Sequence, residues 1–503
     1  LSIIEMDTKS LRFSNASLGV WFNGEERLYL HKVIKDNEIQ FREIPNIPRY
    51  GERLEDIGMF KRKDLRKAEN LKPTFRAIRN YLAANAIGIT RDEVFASQLI
   101  NLIFCKIYDE RFTKPDDTVK FRAGVNESEE DIYNRILTLF DRVKHQYNDV
   151  IEVSDSILLD SRSVKYIVGE LQLYSLKDSS RDAVGDAFEI FIGPSLKGAQ
   201  GQFFTPRNVV NMVIRMIDPG IDERILDPAC GSGGFLVESL RYVWNKLEEK
   251  AADLGWPESE IEAEKQRIAI KNLRGIDKDS FLSKVAKAYL AILGDGRGGI
   301  HCENSLESFR NWSAKTFEDI QPESFDVIVT NPPFGKKLSI DSTEILELYD
   351  LGHRWNSVPG GVFEKGALAD KQPPQLLFIE RCFQMLRPGG RMGIVLLESI
   401  FGMPKYQYVV NYIRLQAKIN AIVTLPEDLF QPHTHAKCCV LICQKYKKNE
   451  SYSSCDNYDI FMSDVKWCGH DSRGNITYSY TSTGEKVVLD EIPLVADRYL
   501  EMR

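Results

Sequence analysis

Two short stretches carry residue types that could do chemistry. In the first, "RILDPACGSGGFLVESL", an apolar run ends in Asp227; Gly231, Ser232, Gly233 and Gly234 follow, and then Leu236, Leu240, Val243 and Leu247 recur at helical spacing. Glycines let a ligand approach the backbone closely. A strand, Gly-rich turn and helix place that ligand at a helix N-terminus on the carboxyl edge of a sheet. A Gly-rich turn alone fits a nucleotide or tight packing equally well. Asp227 separates the ligands, because a carboxylate there repels a pyrophosphate and suits an ammonium group, which points to an amino-acid-bearing cofactor. In the second stretch, "FDVIVTNPPFGKK", a buried-type strand ends at Asn331, Pro332, Pro333 and Phe334. Two prolines give up two backbone donors and stiffen the corner, more than a simple reversal needs. On its own this corner fits a rigid turn with a packed Phe.

Both stretches need a sheet to hold them. From about residue 200, short apolar runs ("RILD", "LRGID", "FDVIVT", "RMGIVLLES", "INAIVTLP", "KCCVLICQ") alternate with helical stretches, the pattern of an α/β sheet with helices on both faces. Upstream, Ile132, Ile136, Leu139, Phe140 and Val143 form one helical stripe, and "RDEVFASQLINLIFCKIYDERF" is apolar nearly all round, as a buried helix would be. Near the start, Asn23 and Gly24 signal a turn between apolar segments. The expected organisation is a β-rich segment over 1–55, a mostly helical domain over 56–195, the α/β domain over 196–450 and a tail over 451–503. "GDGRGG" and "VPGGVFEKGALADKQPP" read as loops, the second long enough to be functional.

Bulk properties narrow the classes. The 503 residues suffice for two or three domains. No apolar run approaches the roughly 18 to 20 residues that span a bilayer, and no signal-peptide pattern opens the chain, so a cytoplasmic setting without membrane contact is expected. The nine cysteines include no CxxC pair, and Cys438, Cys439 and Cys443 read as buried thiols. His433 and His435 share a face but lack a third ligand, so no metal site is expected. Asp7-Thr8-Lys9 has the acid-x-Lys spacing of some metal-dependent nucleases without the upstream half, and reads as an edge strand. "FKRKDLRK" (Phe60 to Lys67) is either a solvated helix end or a contact for phosphate or an acidic partner. The net charge of −7 means that any phosphate contacts must come from local patches or a basic partner.

The two stretches together carry a resemblance. "DPACGSGGF" followed by "NPPF" is similar to the amino-directed DNA methyltransferases, in the γ order of adenine-N6 enzymes. "DAVGDAFEIFIGPSLKGAQGQFFTPRNVVNMVI" resembles the segment leading into the catalytic domain of type I modification (HsdM-type) subunits, and "LPEDLFQPHTHAKCCVLICQK" resembles their late catalytic segment. The resemblance covers roughly residues 60 to 450. It implies a Rossmann-like methyltransferase sheet that takes S-adenosylmethionine. The cofactor-binding residues it implies are Phe203, Thr205, Asp227, Ala229, Gly231, Ser232, Gly233, Asp277, Asn304 and Asn331. Phe203 and Thr205 would meet the methionine part. Asp277 would take the ribose hydroxyls, and Asn304, where the family often has Asp, the adenine amine. Thr205 also reads as a helix N-cap with Pro206 as the first helical residue. Asp277 lies 50 residues beyond Asp227 rather than the usual 20 or so, an excess that the charged helix "PESEIEAEKQRIAIK" accounts for.

The same resemblance implies that Asn331 to Phe334 are catalytic. An exocyclic adenine amine is a poor nucleophile because its lone pair is delocalised into the ring. The Asn331 side-chain oxygen and the Pro332 carbonyl would accept its hydrogens and favour a pyramidal nitrogen, with the prolines preorganising both acceptors. Phe334 would stack on a base flipped out of double-stranded DNA. The motif suits any planar amine, so cytosine-N4, RNA or a protein glutamine remain alternatives, as does a non-catalytic cofactor-binding subunit. Lys336 and Lys337 could reach phosphate or simply be solvated. Residues after Lys445 are too few for a DNA-reading domain, so a separate specificity subunit is expected, with a restriction or translocase subunit left open. The first residue is Leu, and "LGVWFNGEERLYLHK" resembles the close of a nuclease-like domain, so a longer fused product is also expected.

Overall fold

A computed structural model describes residues 11–179 and 205–502, apart from 23–26, 36–37, 45–46, 49–52, 55–56, 90, 295–298, 335–337, 360–361, 432–433, 453–457 and 482–483. Asp7 to Lys9, Asn23, Gly24, Phe203, Lys336, Lys337 and His433 lie outside the described residues. The chain divides into two compact units, Leu1–Ser195 and Leu196–Arg503.

In the first unit, β1 (Leu18–Phe22), β2 (Arg27–Lys35) and β3 (Glu38–Glu43) form an antiparallel meander, with Leu18 opposite His31 and Lys35 opposite Glu38. Four helices follow: α1 (Lys72–Asn85), α2 (Asp92–Phe112), α3 (Glu129–Gln146) and α4 (Ser161–Leu171). A capping box starts α3. The Ser128 hydroxyl accepts the Asp131 N–H, and the Asp131 carboxylate accepts the Ser128 N–H. Its stripe of Ile132, Ile136, Leu139, Phe140 and Val143 is buried as expected. The core helix α2 takes three charged residues inside, Lys106, Asp109 and Glu110, with Lys106 and Glu110 paired at 3.0 Å. Glu110 also accepts the N–H groups of Leu176 and Lys177, as a buried carboxylate requires. In the basic cluster, Arg62 pairs with Asp178 at 2.9 Å and Lys63 with Asp116 at 2.5 Å, which favours a structural role over phosphate contact.

The second unit is built on an eight-stranded sheet. Its elements in chain order are α5 (Arg207–Ile217), β4 (Ile225–Asp227), α6 (Gly234–Leu254), α7 (Glu258–Lys271), β5 (Leu273–Asp277), α8 (Ser280–Gly294), β6 (Ile300–Cys302), β7 (Phe325–Thr330), a hairpin of β8 (His353–Val358) and β9 (Val362–Leu368), α9 (Pro374–Met385), β10 (Leu386–Leu397), α10 (Gln407–Gln416), β11 (Ala417–Thr424), β12 (Cys438–Lys445), β13 (Phe461–Asp464) and α11 (Ile492–Glu501). The sheet order is β13-β11-β12-β10-β7-β4-β5-β6. All its strands run parallel except β12, which is antiparallel to both neighbours. Burial explains the sequence patterns. Strand β12 is covered on both faces and reads as a continuous apolar run, whereas β11 alternates buried and half-buried positions. Burial pushes the Cys438 thiol up to about 12, consistent with inert core cysteines.

Two expectations are corrected. The stretch from Val358 to Pro374 is not a loop, because most of it belongs to the β8–β9 hairpin and the start of α9. Trp355 stacks on Tyr408, with ring centres 6.1 Å apart, and Lys365 pairs with Asp350 at 2.7 Å; these side chains anchor the hairpin. Residues after 450 are not a separate tail either. Strand β13 extends the sheet beside β11, and α11 packs on α5. Asn208 of α5 donates to the Asp490 carboxylate at 2.9 Å. No described helix is long and apolar enough to cross a membrane.

Candidate active site

The sheet order reverses at β4. The chain leaves β4 for β5 on one side, while β7 enters on the other, so the loops after β4 and β7 open a cleft at the carboxyl edge. Pro228, Ala229, Gly231, Asp277, Asn304, Asn331, Pro332, Pro333 and Phe334 line it. The two chemically suggestive stretches, about a hundred residues apart in sequence, therefore share one cleft.

The loop after β4 is held by backbone bonds to its neighbours. Cys230 N–H donates to Ile276 O at 2.9 Å and Gly233 N–H to Cys230 O at 2.8 Å. Gly231 N–H donates to the Asp277 carboxylate at 2.9 Å, whose other oxygen takes the Asp279 N–H at 2.9 Å. Gly231 and Gly233 have φ of 52° and 87°, the left-handed region that favours glycine. They differ in surroundings. A Cβ on Gly231 would meet no atom within 4 Å, whereas one on Gly233 would lie 3.2 Å from the Ala286 Cβ. Gly231 thus leaves room in the cleft, and Gly233 lets α8 pack against the loop. Helix α6 then starts, burying Leu236, Leu240, Val243 and Leu247 as expected.

Asp227 sits beneath this loop rather than in the cleft wall. It is 1% exposed, and its carboxylate accepts the Ala229 N–H at 3.0 Å. Burial raises its pKa to about 7, against the lowering effect of the Thr330 hydroxyl and the Ala229 N–H, and nearby Asp277 adds to the rise. Burial also raises Asp277 above the usual carboxylate range. Ser232 and Gly233 shape the loop without lining the cleft. Asn304 lines it, but its side-chain oxygen accepts the Leu306 N–H at 3.2 Å.

At the β7 corner, Asn331 Nδ2 donates to the Thr205 hydroxyl at 2.9 Å, while Asn331 Oδ1 is buried without a hydrogen-bond partner among the described residues. Thr205 therefore does not cap α5. Pro206 occupies the N-cap position with no side-chain cap, and the Thr205 hydroxyl turns to Asn331 instead. Phe334 is buried, edge-on to Phe430 with ring centres 5.8 Å apart. His435 lies in the loop before β12, not on a strand, and no group of metal-binding residues occurs among the described residues.

The cleft also includes Lys278, Leu282, Leu306, Pro374 and Phe378, which no motif marked. Of these, Lys278 directly follows Asp277, Leu306 lies two residues after Asn304, and Pro374 closes the stretch that reads as a long loop. Leu306 is supported from below by the Tyr349 hydroxyl, which donates to its carbonyl at 2.8 Å and accepts from the buried Arg381 at 2.8 Å.

Comparison with known proteins gives the family. The type I restriction enzyme EcoEI methylase subunit of Escherichia coli is 24% identical over 65% of this chain and 63% of its own length. The MjaVII methylase subunit of Methanocaldococcus jannaschii is 27% identical over 70% of this chain and 56% of its own length. The chain thus spans less than two thirds of these relatives. The type I restriction-modification methyltransferase subunit of Streptococcus thermophilus shares the fold, with a TM-score of 0.55 at 16% identity, covering 86% of this chain and 93% of that one. So does a structure from work on assembly of the type I restriction-modification system, with a TM-score of 0.51 at 19% identity, covering 76% and 75%. Residues 179–475, more than half of the sequence, match the N-6 DNA methylase family, and the chain belongs to that family.

Proposed function

We propose that this chain transfers a methyl group from S-adenosylmethionine to the exocyclic N6 of adenine in DNA, as the modification subunit of a type I restriction-modification system. The observation that carries the proposal is the unpartnered, buried Asn331 Oδ1 in the cleft wall, next to Pro332 and Phe334. A buried acceptor left without a donor is costly, and a substrate amine would satisfy it.

The residues fit the cofactor. Gly231 leaves space beside the backbone, and the Asp277 carboxylate, which lines the cleft, keeps lone pairs for ribose hydroxyls beyond the two backbone N–H groups that it accepts. When bound, S-adenosylmethionine supplies an electrophilic methyl with a neutral thioether as leaving group. The chain's own part is positioning. Asn331 Oδ1 and the Pro332 carbonyl accept the amine hydrogens, and Phe334 holds the ring of a base flipped out of the duplex. As the N–C bond forms, the surplus proton leaves to water. A specificity subunit supplies sequence choice and DNA contacts that a chain of net charge −7 does not offer by itself, and a restriction or translocase subunit completes the system. Phe203, although outside the described residues, belongs to the same proposed cofactor site.

The test is labelled-methyl transfer to DNA by the chain assembled with its specificity partner, followed by mass spectrometry of the nucleosides. N6-methyladenine is the expected product, and Asn331→Ala is expected to lower transfer about 10²- to 10³-fold with cofactor affinity retained. Another methylated product, or an Asn331→Ala variant of full activity, refutes the proposal.

A further inference from the structure

Thr205 and Asn331 are 126 residues apart, yet their side chains meet at 2.9 Å. Thr205 directly precedes Pro206, the N-cap of α5, where a threonine would ordinarily serve the helix. Its hydroxyl instead takes one amide hydrogen of Asn331. Two physical consequences follow for the carboxamide. A carboxamide can flip by 180°, exchanging its donor NH₂ for its acceptor oxygen. In the observed orientation the oxygen of this cleft-lining residue is buried without a partner among the described residues. The flipped orientation would leave buried N–H groups unpaired there, and orphaned N–H is rarer in proteins than orphaned C=O. In addition, an amide that donates through nitrogen carries more charge on oxygen, since hydrogen bonds in a chain polarise one another.

We propose that Thr205 is a positioning residue for methyl transfer. Its hydroxyl, accepting from Nδ2, holds the Asn331 carboxamide in place in the orientation whose flip unpaired buried N–H groups would oppose, so that Oδ1 is left for the incoming amine, and it strengthens that oxygen as an acceptor. This rests on Asn331 being the amine acceptor. It gives Thr205 a role through a neighbouring side chain rather than through the cofactor.

Thr205→Val keeps the shape and removes the hydroxyl, whereas Thr205→Ser keeps the hydroxyl. In the assembled enzyme, Thr205→Val is expected to lower kcat about 10- to 100-fold, the range seen when a group that orients a metal-binding side chain is lost. Cofactor affinity by calorimetry and the KM for DNA should stay within about twofold, and Thr205→Ser should recover most of kcat. In an Asn331→Asp background, where no amide nitrogen remains, Thr205→Val should cost much less than it does alone. An unchanged kcat in Thr205→Val, a loss confined to cofactor affinity, or no recovery in Thr205→Ser overturns the proposal. Full activity of Asn331→Ala would instead sink the functional reading beneath it. An inactive Asn331→Ala beside a fully active Thr205→Val would sink only the positioning role.

Discussion

Replacing Gly231 or Gly233 with Ala should separate ligand space from fold stability at two positions only two residues apart. Both sit at positive φ, 52° and 87°, where an L side chain is strained by about 1–2 kcal/mol. The φ of Gly231 is close to the ordinary left-handed value, and a Cβ there meets no protein atom within 4 Å. Loss of unfolded-chain freedom offsets the strain by about 0.4–1 kcal/mol. Gly231→Ala is therefore expected to destabilise the protein by only about 1 kcal/mol. Its new methyl group stands in the cleft, so S-adenosylmethionine should bind at least about tenfold more weakly, equivalent to about 1.4 kcal/mol. Gly233→Ala differs in both respects. Its φ is further from the favoured value, and its Cβ would sit 3.2 Å from the Ala286 Cβ and 3.4 Å from its Cα. Overpacking of this kind costs about 1–3 kcal/mol, so the total is about 2–4 kcal/mol. Urea denaturation of the ligand-free variants and calorimetry with S-adenosylmethionine would measure both effects. Unchanged cofactor affinity in Gly231→Ala, or wild-type stability in Gly233→Ala, would refute the assigned division of labour.

The Asp227 carboxyl should make stability depend on pH. Burial raises its folded pKa to about 7, so between about pH 4 and 7 the folded protein holds a proton that the unfolded chain has released. Its contribution to stability falls as pH rises through that window and levels off above it. Between pH 5 and 8 the loss is on the order of 3 kcal/mol, and Asp227→Asn should remove that part of the slope. Urea midpoints at both pH values decide it, and equal slopes in the two proteins would contradict the burial argument. Phe334→Leu roughly conserves core volume, so stability should change by less than about 1.5 kcal/mol. The lost aromatic face should weaken target-base capture by about 1–3 kcal/mol, read as a higher KM for DNA or a lower kcat. Full activity in Phe334→Leu would show that stacking is not its role.

Local pattern and tertiary structure contributed different things. A strand, an acid, a Gly-rich turn and an apolar helical stripe are contiguous between Ile225 and Leu247, so their geometry follows from neighbouring residues, and the structure keeps each as read. The same holds for β7 running into Asn331 to Phe334, and for the buried stripe of α3. The capping role expected of Thr205 failed because a hydroxyl bonds to whatever partner the fold presents, and that partner comes from 126 residues away. The β8–β9 hairpin was illegible because its glycines and prolines look like a loop. What holds it are contacts with Tyr408 and Asp350, outside the hairpin itself. Strand β13 lies in a stretch that reads as strands of a tail, but its place in the main sheet was not legible, since an edge strand of four residues is defined by its pairing with β11.

By itself, the amino-acid sequence set out a strand, an acid and a Gly-rich turn suited to an amino-acid-bearing cofactor, because those are properties of side-chain type and spacing over a few residues. That Asn331 and Pro332 accept hydrogens from a planar amine was implied by the resemblance rather than by spacing. The resemblance already brought Asn331 to the cofactor loop. The tertiary structure shows the cleft that the two share. It also placed Asp227 below the loop rather than in the cleft wall, and left Asn331 Oδ1 as the unsatisfied acceptor. Strand order does that work, because placing β7 beside β4 brings together segments that no local periodicity connects.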